Sequence, residues 1–206
     1  YAQGTLQAFK PEKIQKMVDK HPLEPFLPHG TRLLMLGSFP PQQKRWSMEF
    51  FYPNFNNDMW RIFGKIFRGD SQFFVDSENK CYRRDDIVKL LEEKGIGLYD
   101  TATEVIRRKD NASDKYLEIL EPTDVREMLS TLEQCRAVVA TGQKAADEIG
   151  RQLEVEVPKT GMSVGFELNG RQLLFFRMPS SSRAYPLSLD KKVGFYRNMF
   201  EQVGLL

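Results

Sequence analysis

The sequence predicts an α/β domain, a three-layer α/β/α arrangement around a central, mainly parallel sheet of about four strands. Three observations predict it. Leu33-Leu34-Met35-Leu36 is an unbroken apolar run stopped by Gly37, and two similar runs follow, Ala137-Val138-Val139-Ala140 and Leu173-Leu174-Phe175-Phe176. Apolar runs without polar alternation belong to strands buried on both faces. Amphipathic segments separate the runs, as crossovers between parallel strands require. With 206 residues, 41% of them hydrophobic, the chain can bury one full core, so a single domain over residues 1–206 is expected.

Each element has a local reason. Residues 11–20 place Pro11 at a first helical position and Ile14, Met17 and Val18 on one side, which reads as a helix. Residues 21–31 hold Pro22, Pro25, Pro28 and Gly30 and read as a connector, so residues 1–31 form an N-terminal helix and connector. After the first strand, residues 58–67 repeat Met59, Ile62, Phe63, Ile66 and Phe67 at helical spacing, giving a largely buried helix. Residues 84–93 form another, with Ile87, Leu90 and Leu91 inward and Gly95 past its end.

A short second strand spans residues 95–100 and ends at Asp100, residues 107–115 read as a polar loop, and residues 123–132 as a helix behind Pro122. Residues 136–142 are a strand that runs into a helix over 143–150. Residues 163–168 and 172–177 pair as a hairpin across Asn169-Gly170. A serine-rich loop at 178–185 and an amphipathic helix at 189–203 complete the chain.

The net charge of +2, from 30 basic and 28 acidic residues, announces neither a nucleic-acid partner nor an acidic one. The clusters Arg83-Arg84, Arg107-Arg108-Lys109 and Lys191-Lys192 read as solvated surface. The two cysteines, Cys81 and Cys135, read as buried thiols in a reducing cytoplasm, and an iron–sulfur cluster or structural zinc supplied by this chain alone is not expected. No apolar stretch reaches the length of a membrane span and the first thirty residues are too charged for a signal peptide, so a cytoplasmic monomer without a membrane partner is expected.

Two loops leave strong strands at their carboxyl ends, residues 37–57 and 178–185, and in a parallel sheet such ends collect ligands. The first loop supplies faces for stacking from Phe39, Trp46, Phe50, Phe51 and Tyr52. It supplies paired donors and acceptors from Asn54, Asn56, Asn57 and Asp58. Asn56 reads as a cap for the helix behind it, and Asn57 as either a cap or a site amide. The second loop offers the hydroxyls of Ser180, Ser181 and Ser182 and the guanidinium of Arg183, a mixture suited to phosphate oxygens.

Gly37-Ser38-Phe39-Pro40, followed by Tyr52 and by Asn57-Asp58-Met59-Trp60-Arg61-Ile62, resembles the first motif of the uracil-DNA glycosylase superfamily. It is closest to the hypoxanthine-DNA glycosylase-like branch, with affinity to the mismatch-specific branch. His21-Pro22-Leu23, Thr31-Arg32-Leu33, Gly97-Leu98-Tyr99-Asp100, Asn111-Ala112-Ser113-Asp114, the Ala140-to-Ala145 turn and Met178-Pro179-Ser180-Ser181-Ser182 are similar to further segments, in order, over residues 21–203.

The resemblance implies a monofunctional DNA base-excision repair enzyme acting on DNA with a damaged or mismatched base. A flipped deaminated base, hypoxanthine or uracil, would be hydrolysed from its sugar by a positioned water, with no metal or other cofactor. It places the water-orienting amide on Asn57, with Ser38 where other branches carry asparagine or aspartate. Phe39 and Tyr52 would hold the base, and Asp100 would assist it or act as a buried cap. Ser180, Ser181, Ser182 and Arg183 would hold the DNA backbone.

Two departures are visible: Pro41 where a glycine is usual, and Arg183-Ala184-Tyr185 where relatives show proline–alanine–asparagine. His21 and His29 precede the first strand and read as connector residues. The departures motivate an alternative, a weak or inactive DNA- or nucleotide-binding module of the same fold. A serine hydrolase built on Ser38 is disfavoured, because the Gly-x-Ser-x-Gly elbow is absent and no histidine follows.

Overall fold

The computed structural model describes residues 18–108 and 114–206. In chain order it forms β1 (Val18–Lys20), β2 (Leu33–Gly37), α1 (Met59–Arg68), β3 (Val75–Asp76), β4 (Cys81–Tyr82) and α2 (Arg84–Lys94). There follow β5 (Ile96–Asp100), β6 (Ala102–Arg107), β7 (Leu117–Pro122), α3 (Val125–Thr131), β8 (Ala137–Thr141) and α4 (Gln143–Leu153). The hairpin β9 (Ser163–Leu168) and β10 (Arg171–Met178) precedes α5 (Leu189–Gln202).

The main sheet has the order β5-β2-β8-β10-β9, five strands rather than about four. Its first four strands are parallel, and β9 adds an antiparallel edge to β10. Asn169 and Gly170 both take positive φ, 52° and 76°, as a two-residue turn matched to strand twist requires. Every residue of β2 is buried, which accounts for an apolar run with no polar alternation. α1 packs against α5 with Phe63 edge-on to Phe200 at 5.4 Å, and Trp60 lies beside Phe63.

Register sets the site. Gly37 pairs with Asp100 and Thr141 with Met178, so the carboxyl ends of the four parallel strands lie level. The chain leaves β2 toward β5 on one side and β8 toward β10 on the other, which opens a crevice between β2 and β8.

Three expectations are corrected. The end of the helix expected at 11–20 is instead β1, antiparallel to β6, and the rest of that segment lies outside the described residues. β6 and β7 complete a separate three-stranded antiparallel sheet in a stretch where no strand was expected. Its register shifts at Ala102, Glu104 and Val105 break the period of two by which a half-buried strand is read. Arg107 thus ends a strand; of the expected 107–115 loop, residues 109–113 lie outside the described residues. Cys135 is buried but Cys81 only partly so, and both are free thiols.

Candidate active site

The two loops meet. The backbone N–H of Asp58 donates to Ser181 O at 2.9 Å. Lys192 Nζ donates to Asp58 Oδ2 at 3.2 Å in the interior and to Ser182 O at 2.8 Å. Arg183 reaches from the second loop to Asp58 Oδ1 at 3.4 Å and to Asn56 Oδ1 at 3.5 Å. Between the loops lies a cavity of about 670 Å³, with Asp100 and the turn Thr141-Gly142 in its wall. Asn57, Ser38, Phe39, Tyr52, Asp100, Ser180, Ser181, Ser182 and Arg183 all line it.

The first loop divides its residues between wall and support. Phe39, Phe51 and Tyr52 face the cavity, whereas Phe50 is buried against Phe26 and Trp60. Trp46 is likewise outside the cavity lining, its Nε1 donating to Pro41 O at 2.7 Å. Tyr52 adopts a positive φ of 49°, uncommon for a residue with a side chain, and its hydroxyl pairs with Thr141 Oγ1 at 2.8 Å. That bond ties the first loop to the strand-to-helix turn of β8 and α4.

Asn57, not Asn56, supports the start of α1, its Oδ1 accepting the Met59 N–H at 2.9 Å. This identifies the amide oxygen, and no bond within the described residues engages Asn57 Nδ2. Arg61, Tyr82 and the carbonyls of Phe55 and Asn57 brace the segment from behind. Burial pushes the Tyr82 hydroxyl up to about 12.

In the second loop, Ser180 Oγ accepts Ser182 N–H at 3.2 Å and Ser182 Oγ accepts Ala184 N–H at 3.3 Å, two local turns that shape the strand exit. Ser181 is buried and contributes the carbonyl that holds Asp58. Arg183 and Tyr185 are exposed at the rim.

Sequence reasoning missed three residues here. His21, read as a connector, stacks on Tyr99 at 4.6 Å, stands edge-on to Phe39 at 5.4 Å and bonds Asp100 Oδ2 through Nε2 at 2.7 Å. Its partner is 79 residues away, so no local pattern could announce it. Lys192 was read as solvated surface and Asp58 as a polar loop residue, yet the two form a buried pair. The spacing of Val193, Tyr196 and Phe200 places Lys192 beside the inner face of α5, the one available sign. His29 is exposed, as a connector residue would be.

Asp100 itself ends β5 at the cavity wall. Gly37 opposite has no side chain, and a Cβ there would stand 2.6 Å from Asp100 Oδ1. The same point lies 3.6 Å from both Tyr52 Oη and Thr141 Oγ1, so three polar groups surround Gly37. The N-terminus of α4 adds Gln143 and Lys144 to the wall. Among the described residues, no group of three His, Cys, Asp or Glu side chains could hold a metal ion, and no helix is long and apolar enough to cross a membrane.

The fold is similar to the solution NMR structure of a proposed uracil DNA glycosylase from Methanosarcina acetivorans. The two superpose with a TM-score of 0.59 at 21% sequence identity, over 91% of this chain and 99% of that one. No protein-family profile and no curated protein matches the chain.

Proposed function

We propose that this protein is a monofunctional DNA glycosylase that hydrolyses a flipped deaminated base, hypoxanthine or uracil, from its sugar. The observation that carries the reading is the junction of the two loops over the level strand ends, bordering an open cleft of about 670 Å³ lined by aromatic faces and amide, carboxylate and hydroxyl groups. That volume lies within the range of small-molecule sites. Its fold-level likeness to a proposed uracil DNA glycosylase supports the same chemistry by analogy.

In this reading the bond between C1′ and the base nitrogen breaks with its electron pair passing to the base, leaving positive charge on the sugar. Water then adds to C1′ and releases a proton. Asn57 orients that water through its amide, Ser38 borders the same wall, and the Asp100 carboxylate opposes the positive sugar. Phe39 and Tyr52 hold the base, while the positive end of α4 favours the departing anion. Ser180, Ser182 and Arg183 meet the DNA backbone, with Ser181 holding their loop in place.

A second reading, a DNA- or nucleotide-binding module of the same fold, is favoured by the bond that already occupies Asn57 Oδ1. One experiment separates the two: mass-spectrometric detection of free base after incubation with duplexes carrying a single inosine or uracil. Release abolished in Asn57→Ala supports the glycosylase. Tight duplex binding without release supports the module.

A further inference from the structure

The side chain of His21 is 2% exposed, and both its ring nitrogens are engaged. Nδ1 accepts the Leu23 N–H at 3.1 Å and so carries no proton. The ring proton therefore sits on Nε2, which donates to Asp100 Oδ2 at 2.7 Å. Stacking on Tyr99 and the edge of Phe39 prevent the ring from turning over. An N–H facing Oδ2 requires that oxygen to accept. The other oxygen, Oδ1, occupies the space that only a glycine at position 37 leaves open, 2.6 Å from where a Cβ there would stand, and Tyr52 Oη and Thr141 Oγ1 lie 3.6 Å from that same point.

We propose that His21, by holding Oδ2, fixes the orientation of the Asp100 carboxylate and leaves Oδ1 as a set acceptor, so that the cavity selects a ring presenting an N–H beside a carbonyl. This rests on the reading of the cavity as a nucleobase site. Oδ1 accepts the ring N–H, and of the paired Tyr52 and Thr141 hydroxyls the one that accepts from the other can turn its proton to the carbonyl. Deamination of adenine or cytosine creates that edge, turning a bare ring nitrogen into N–H and an amine into a carbonyl. The parent bases would set a lone pair against an anionic oxygen, and they are refused. An asparagine at position 100 would turn its oxygen to the His21 N–H and its NH₂ to the ring, so this preference is lost or reversed. His21 is a positioning residue: it touches Asp100, not the ring.

Two measurements on the whole chain test the proposal. Long-range proton–nitrogen NMR of wild type should find His21 in the Nε2–H tautomer. Titrations with free hypoxanthine and adenine should show wild type binding hypoxanthine about tenfold or more tighter. The preference should fall to about threefold or less in Asp100→Asn and His21→Phe, and return in His21→Gln, whose amide can donate to Oδ2.

An Nδ1–H or doubly protonated ring, no binding of hypoxanthine to wild type, or an unchanged preference in folded His21→Phe overturns the proposal. Selective binding without base release from duplexes would sink the glycosylase reading and leave this one standing. Base release without selectivity would do the reverse.

Discussion

Lys192 Nζ stands 3.2 Å from Asp58 Oδ2, with the two side chains 1% and 8% exposed, and this pair ties the last helix to the base of the first loop. The same lysine holds Ser182 O, so one buried charge sets where the second loop lies. Removing Lys192 leaves Asp58 only the half-exposed Arg183 as a cation, and removing the Asp58 charge leaves the buried ammonium only the Ser182 carbonyl. Lys192→Met and Asp58→Asn should each destabilise the fold by about 3–5 kcal/mol in urea unfolding, and the double variant by less than their sum.

Gly37→Ala tests the close approach behind the cavity. Its new methyl would meet Asp100 Oδ1 at 2.6 Å and displace it. Single-turnover base release should slow about a hundredfold, as misplacement of about an ångström does, while thermal unfolding shifts little.

Asn57 combines support and chemistry, and two substitutions separate them. Asn57→Asp keeps an oxygen for the Met59 N–H and a favourable charge at the start of α1, so stability should hold. Asn57→Ala loses that acceptor and should cost about 1 kcal/mol. If the amide orients water, both variants lose base release; if it only caps, Asn57→Asp stays active.

The main sheet was legible because β2, β8 and β10 are buried apolar runs whose ends glycine and polar residues mark. The small sheet was not. β6 carries Glu104 and Arg107 among apolar residues with two register shifts, so it has no clean period. Legibility at the site followed the same line. Ser38, Tyr52 and Ser180 lie on loops that leave recognisable strands, whereas His21 and Lys192 act through partners 79 and 134 residues distant. A histidine in a proline-rich connector and a lysine in a charged pair look like surface until the chain folds.

Alkaline pH should unfold the protein in a defined window. Burial raises the Cys135 thiol from 9.0 to about 11 and the Tyr82 and Tyr99 hydroxyls from 10.0 to about 12. Tyr196 is raised further in the same direction by full burial. Each group favours the fold while it is neutral, so this contribution is complete below about pH 9. It is lost progressively as pH climbs through 11 and 12. Urea unfolding between pH 8 and 12 should trace that decline, and Tyr99→Phe should make it shallower.

The most direct test is a structure of the protein with a duplex carrying an uncleavable fluorinated analogue of deoxyinosine. The base should be extruded into the cavity, its ring N–H on Asp100 Oδ1 and its backbone beside Ser180 and Ser182. A base still stacked in the duplex, or DNA bound on another face, would contradict the account.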